Sequence, residues 1–305
     1  MQTVLITGGT GLIGKRLTEM LLQKNYTVIV LTRDPAKYKK SCPNLSYSAW
    51  DVKEKKIDKD AVSRSDYIVH LAGAGVGDKR WTSARKKEIL ESRTLSSKLI
   101  AETLDSVNHK VKAVISASGV GYYGDDTTFK KVFSESDKAG NDFLADVCKE
   151  WEAAIAAVTN SVERLVILRT GIVISKKGGM LQPYTLPLKF RVAPVLGSGK
   201  QRLSPVHNDD MCRMYIHAME NNISGIFNAA SPDVVTNKEL AVQLVKILKG
   251  NPVFPIKVPA FLLRIFLGEF STEALKSTPV DVQKISDTGF EFLYPDLEKQ
   301  LEAEK

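Results

Sequence analysis

The chain has 305 residues, 43% hydrophobic and 26% charged, with a formal net charge of +8. These are ordinary values for a globular protein of one large domain or two lobes. The three cysteines, Cys42, Cys148 and Cys212, have no disulfide or metal-ligand spacing, no apolar run reaches membrane-span length, and the basic residues form no stripe for nucleic acid.

Apart from a short group at Lys37, Lys39 and Lys40, the lysines and arginines are spread along the chain. A solvated basic surface, a reducing compartment and a cytoplasmic location are expected, with no membrane and no nucleic-acid partner. A first strand starting at residue 3 leaves no room for a signal peptide.

Val4, Leu5 and Ile6 form a short apolar run, followed by Thr7 and the glycines 8, 9, 11 and 14. Ile13, Leu17 and Leu21 then recur at helical spacing. Strand, glycine turn and helix is the order a pyrophosphate needs: glycines let the backbone turn tightly and the ligand approach it. The helix start adds unpaired N–H groups and a positive dipole end.

TVIVL at 27–31 reads as a second strand, nearly all apolar, as in parallel sheets buried on both faces. Thr32, Arg33 and Asp34 stand at its end. An acidic residue there binds the ribose of NAD, whereas an arginine accommodates the 2′-phosphate of NADP. Neutral Thr32 followed by Arg33 favours NADP, and Asp34 before Pro35 reads as the cap of the next helix.

LSYSAWDV at 45–52 is the third strand, ending in Asp51 and Val52. DYIVHLAGAGVG at 66–77 is the fourth, running into a small-residue loop at Ala72, Gly73, Ala74 and Gly75. A long helix follows over 81–106. VKAVISAS at 111–118 is the fifth strand, with Ser116 and Ser118 at its end, and a helix over about 142–159 shows an apolar face at Phe143, Val147, Trp151 and Ile155. RLVILRTGIVI at 164–174 reads as one sixth strand. This alternation implies an α/β fold with a parallel, doubly wound sheet.

Beyond it come a polar turn around His207, Asp209 and Asp210, a helix from about Asp209, and a short strand in SGIFNAAS. A helix capped by Thr236 or Asn237, with Glu239 near its third position, runs to Gly250. NPVFPIKVP is proline-broken and extended, and FLLRIFLG is short and apolar. His70 falls inside a buried strand and reads as a core residue; His109 and His217 carry no context.

TGGTGLIG at 7–14, DV at 51–52, HLAGAG at 70–75, SASGVGYYG at 116–124, LRTGIVI and VHNDD together resemble the extended short-chain dehydrogenase/reductases of the epimerase-like group. RW at 80–81, ILESR at 89–93, the GYYG motif, CKEWEAA at 148–154, GSGKQ at 197–201 and the tail through TGFEFLYPDLEKQL resemble an atypical subgroup of that family. The resemblance implies a Rossmann lobe over 1–175, to which some later segments return, and a smaller C-terminal substrate lobe with the family's own tail over 176–305. It also implies a nicotinamide cofactor, a small-molecule substrate with nucleotide sugars among the candidates, and a homodimer.

Hydride-transferring members of that superfamily use a Ser, a Tyr and a Lys, the last two four apart on a helix. Ser118 fits the serine. Counted back from Glu152, the Tyr–Lys pair falls on Leu144 and Cys148, which cannot do its work. Tyr122 and Tyr123 follow Ser118 on the loop, and Tyr122 is the preferred acid. The expected nucleotide site is Gly8, Thr10, Gly11, Leu12, Ile13, Gly14, Thr32, Arg33, Asp51, Val52, Leu71, Ala72, Gly73 and Arg93. Arg80 lies nearby. An NADP-binding sensor without turnover is the alternative to an enzyme.

Overall fold

The computed structural model describes residues 1–305 except 40, 108, 180, 182 and 183. Lys40 of the lysine group therefore lies outside the described residues. In chain order the first half holds β1 (Thr3–Thr7), α1 (Leu12–Gln23), β2 (Thr27–Thr32), β3 (Leu45–Asp51), β4 (Lys56–Ile57), α2 (Lys59–Ser63), β5 (Tyr67–His70), α3 (Ser83–Ser106), β6 (Val111–Gly119), α4 (Phe143–Ala156) and β7 (Val162–Thr170). The second half holds β8 (Ile172–Ser175), β9 (Gly178–Gly179), α5 (Thr185–Lys189), β10 (Val192–Leu196), β11 (Arg202–Leu203), β12 (Pro205–His207), α6 (Asn208–Glu220), β13 (Gly225–Ala229), β14 (Val235–Thr236), α7 (Asn237–Lys249), β15 (Phe254–Val258), α8 (Ala260–Leu267), α9 (Ser271–Ala274), α10 (Gln283–Ser286) and α11 (Leu297–Glu302).

Eight strands form one sheet in the order β13-β7-β6-β5-β1-β2-β3-β4. All are parallel except β4, which turns back antiparallel on β3. The middles of the central strands, Val4–Ile6, Val28–Leu31 and Tyr67–Val69, are apolar on successive residues because both faces are covered. Val4, Ile6, Val28, Val30, Val69 and Ile115 pack with Leu17 and Leu21 of α1 and Met211 and Tyr215 of α6. Leu5, Ile29, Leu31, Ile68 and Val114 face the other way, onto Leu99, Ile100 and Leu104 of α3 and Ile155 of α4. Chain direction across the sheet reverses between β1 and β5, and an open α/β sheet binds ligands in the crevice beyond the strand ends at that point.

The 164–174 run is two strands. It breaks at Gly171, where a Cβ would lie 2.4 Å from the Ser204 carbonyl oxygen, and Ile172–Ser175 leaves the large sheet to join β12 and β9. The periodicity carries across the break because both pieces are buried. SGIFNAAS supplies β13, the seventh parallel strand, beside β7. A smaller core of Ile174, Leu188, Ala193, Leu203, Leu240, Leu244, Leu297 and Leu301 gathers the short sheets with α7 and α11. Thr236 caps α7 in a full capping box with Glu239, and the proline-broken NPVFPIKVP contains β15, which pairs in parallel with β10.

Candidate functional site

The turn between β1 and α1 sits at the reversal of strand order. Gly8 has φ +69°, and a Cβ on it would lie 2.8–2.9 Å from the backbone of Leu71 and Ala72. The turn after β1 and the turn after β5 are thus pressed backbone against backbone. A Cβ on Gly14 would lie 2.4 Å from the Gly8 carbonyl oxygen. Gly11 differs: it is exposed, and a Cβ there would meet just that oxygen, at 3.3 Å. Gly11 is also the N-cap of α1, without a side-chain cap and without an acidic residue in the first turn. The positive end of α1 is left open, which suits a phosphate. Leu12 and Ile13 are half-buried, and Ile13 packs on the sheet.

The β5 turn is held from below and from the side. Thr7 Oγ1 accepts from the N–H groups of Leu71 and Ala72 at 3.2 Å each and lies 2.7 Å from His70 Nδ1. Its one hydrogen therefore goes to Nδ1, and the His70 proton sits on Nε2, 3.1 Å from Ser97 Oγ. Burial, with help from the Arg93 charge, lowers the His70 pKa to about 3. His70 is a neutral, satisfied core residue.

From α3, Ser92 Oγ accepts from Ala74 N–H at 3.0 Å, Arg93 donates to Ala74 O at 3.0 Å, and Arg85 donates to Gly75 O. Trp81 Nε1 donates to Val76 O at 2.8 Å. Arg80 is exposed and reaches the Ile265 carbonyl of α8 at 3.4 Å.

At the end of β2, Thr32 is still in the strand, paired with Ala49, and Arg33 is the first residue beyond it. Arg33 is exposed, and no carboxylate pairs with it among the described residues. Asp34 stands at the N-cap of a 3-10 turn, Pro35–Lys37, but its side chain makes no cap bond; it pairs with Lys37 at 3.1 Å. The capping expectation holds in position and not in hydrogen bonding, because so short a turn leaves few N–H groups to cap. Asp51 accepts from Lys53 and Glu54 N–H through Oδ1 and so shapes the β3–β4 hairpin, which has no counterpart in the sequence reading. Val52 packs on the outer face of the sheet.

At the end of β6, Ser118 donates to Glu152 Oε1 at 2.7 Å. Glu152 holds Arg169 in a bidentate pair at 2.9 and 2.8 Å, and Arg169 is 1% exposed. Arg169 donates onward to Tyr123 Oη, which donates to Asn228 Oδ1 at 2.7 Å. Tyr123 is core, stacked on Phe133, and burial pushes its phenol up to about 12. Tyr122 is half-buried, with the Arg169 guanidinium 3.4 Å from its ring centroid, and its hydroxyl has no hydrogen-bond partner among the described residues. On α4, Leu144 lies against Gly121, and Cys148 Sγ lies 3.6 Å from the Gly119 carbonyl. Burial pushes the Cys148 thiol up to about 11.

Arg169 is the residue the sequence reading missed. Its signal was a charge inside the apolar run RLVILRT, which demands a buried counter-charge.

Beside the glycine turn opens a cavity of about 400 Å³ lined by Thr10, Lys15, Arg16, Lys176, His207 and Tyr294 among others. His207 is the N-cap of α6, accepts from Asp209 N–H through Nδ1 and lies 3.1 Å from Glu304. Among the described residues no set of three or more His, Cys, Asp or Glu is placed to hold a metal, and no helix is long and apolar enough to cross a membrane.

Residues 4–230 match the NAD dependent epimerase/dehydratase family. The chain belongs to that family. The epimerase-family match ends one residue after β13 and so takes in every strand of the large sheet. Residues 258–304 match a domain of unknown function, DUF1731. In this epimerase-family chain that segment is fastened to the rest through Glu304 on His207, Glu269 on Lys86, and the N–H groups of Leu293 and Tyr294 on Asp210.

Among curated relatives, the chloroplastic SDR39U1 homolog of Arabidopsis thaliana is 34% identical over 307 residues, covering 99% of this chain and 86% of that protein. Epimerase family protein YfhF of Bacillus subtilis is 32% identical over 297 residues, 97% of this chain and 95% of that one. The structure of human SDR39U1 with NADPH superposes with a TM-score of 0.85 at 26% identity, covering 99% of each chain. UDP-glucose 4-epimerase of Thermotoga maritima shares the fold, with a TM-score of 0.79 at 20% identity over 99% of this chain and 97% of that one.

Proposed function

We propose that the chain is an NADP-dependent oxidoreductase or epimerase acting on a small molecule, with nucleotide sugars among the candidates, and without the Tyr–Lys pair usual in its superfamily. The observation that carries this reading is the open, uncapped start of α1 at Gly11, at the reversal of the strand order, with unpaired Arg33 at the end of the neighbouring strand. A relative solved with NADPH supports it.

The residues fit such a nucleotide. Gly8, Thr10, Gly11, Leu12, Ile13 and Gly14 would hold the pyrophosphate, Thr32 and Arg33 the 2′-phosphate, Asp51 and Val52 the adenosine side, and Leu71, Ala72 and Gly73 the middle of the molecule. When bound, the nicotinamide supplies hydride transfer.

Tyr122 is the proton-carrying residue in this reading, because its hydroxyl has no hydrogen-bond partner among the described residues and it stands on the loop after β6, with the Arg169 guanidinium 3.4 Å from its ring centroid. Ser118, at the end of β6, gives its proton to Glu152. Residues 1–175 with α6 and β13 form the nucleotide lobe, and the remaining C-terminal part shapes the substrate side.

A second reading, an NADP-binding sensor without turnover, is favoured by Leu144 and Cys148. Both lie against the loop after β6, where proton transfer would be needed, and neither can perform it at neutral pH. The test is NADPH oxidation by the purified protein against panels of carbonyl compounds and nucleotide sugars. Turnover abolished in Tyr122→Phe supports the enzyme. Tight NADPH binding with no turnover on any substrate supports the sensor.

A further inference from the structure

We infer that Arg93 recognises a carboxylate on the molecule that enters the crevice beside the end of β6. The inference rests on the nucleotide reading above and deepens it by naming a substrate class.

The Arg93 side chain leaves the middle of α3 and lies flat beneath the β5 turn. A Cβ on Gly73 would come within 3.0 Å of its Cζ, and Cζ lies 5.0 Å from the centroid of the Trp151 ring. The guanidinium is thus confined between the Gly73 backbone and an indole. One terminal nitrogen is committed: NH1 donates to Ala74 O at 3.0 Å and Ile89 O at 2.9 Å. Nε and NH2 have no hydrogen-bond partner among the described residues, and no carboxylate there is within ion-pair distance.

Four other partly buried arginines have a carboxylate partner. Arg16 has Asp209, Arg85 has Glu88, Arg169 has Glu152 and Arg213 has Asp210. Arg164 spreads both terminal nitrogens over three carbonyls. Arg93 has no carboxylate partner and only NH1 engaged, its Nε and NH2 being unpartnered among the described residues, and a partly buried cation without a counter-charge is unfavourable.

The neighbours do not supply that charge. His70 is neutral, and Glu152 is held by Arg169 and Ser118. Arg93 is close enough to the Cys148 thiol to favour its ionised form, but burial outweighs this and keeps the thiol protonated. Cys148 Sγ lies 3.6 Å from the Gly119 carbonyl, so Arg93 stands near the end of β6. An Nε–NH2 edge offers two parallel donors, which match a planar carboxylate bidentately.

The experiment titrates NADP⁺-saturated protein with benzoate and acetate, with their neutral amides benzamide and acetamide, and with inorganic phosphate, by calorimetry. Wild type should bind the carboxylates roughly tenfold or more tighter than the amides. Arg93→Gln should bring that ratio close to one, and Arg93→Lys, which keeps the charge and loses the fork, should retain part of it. Arg93→Lys carries the prediction if Arg93→Gln does not fold.

A wild type that does not prefer carboxylate over amide overturns the inference, as does an undiminished ratio in both variants or a preference for phosphate alone. Loss of NADP⁺ binding in Arg93→Gln and Arg93→Lys would make Arg93 a cofactor residue and overturn it too. Wild type that fails to bind NADP⁺ without any probe overturns the nucleotide reading, and this inference with it.

Discussion

At the residue scale, two arginines show how position decides role. Arg33 is exposed and unpaired one residue past β2, while its neighbour Asp34 is drawn to Lys37. The carboxylate next in sequence, Asp34, is paired with Lys37 and leaves Arg33 free for a 2′-phosphate among the described residues. Hydrogen bonds to charged groups contribute about 1.5–3 kcal/mol, so NADP(H) should bind roughly ten- to a hundredfold tighter than NAD(H). Arg33→Ala should remove most of that preference and leave NAD(H) affinity nearly unchanged, measured by titration of both cofactors. Equal wild-type affinities would instead make Asp34 the ribose ligand.

Arg169 is the opposite case, buried and paired. Glu152→Ala would leave its guanidinium without a counter-charge in the core, a change that costs about 3–5 kcal/mol. Chemical denaturation should show that loss, and a loss under about 1 kcal/mol would mean that water reaches the pair.

At the element scale, α1 carries the argument. Its glycines do different jobs: Gly8 and Gly14 let backbones touch, and Gly11 keeps open space in front of the helix N-terminus. Gly11→Val should therefore fold and yet lose cofactor binding, because its side chain meets little protein and fills the approach to the N–H groups. Circular dichroism with NADPH titration separates the two effects, and unchanged affinity in a folded variant would remove the phosphate from this turn. Gly14→Val, by contrast, should fail to fold, since its side chain would strike the Gly8 carbonyl.

At the scale of the whole molecule, the C-terminal segment is tied to β12, α3 and α6 by acid groups. Burial works against the charge on Glu304, but the His207 hydrogen bond and the Lys176 N–H outweigh it and hold the carboxyl below its usual range. Asp209 is likewise held low, by Arg16. A carboxyl lowered in the folded state stabilises above its unfolded value, and that stabilisation is lost as pH falls through the folded value. Stability should thus fall as pH drops below about 4, the ordinary carboxylate range. Glu304→Gln should flatten that fall and loosen residues 293–304, read by urea unfolding across pH and by hydrogen exchange. An identical pH profile in the variant would show that the tie contributes nothing.

The strand–turn–helix opening, the parallel order of the sheet and the neutral end of β2 were legible in the sequence because each rests on local rules. Apolar runs of strand length, glycines where backbones touch and 3.6-residue spacing do not depend on distant partners. Three things were decided by tertiary structure alone. The break at Gly171 follows from the approach of Ser204, some thirty positions away in the chain. The Ser118–Glu152–Arg169–Tyr123 network joins β6, α4, β7 and the loop after β6, and no spacing along one element encodes it. The confinement of the Arg93 guanidinium comes from Gly73 and Trp151, which approach it from the turn after β5 and from α4. Local pattern sets which elements form, whereas charge pairing and vacancy across elements depend on how the whole chain packs.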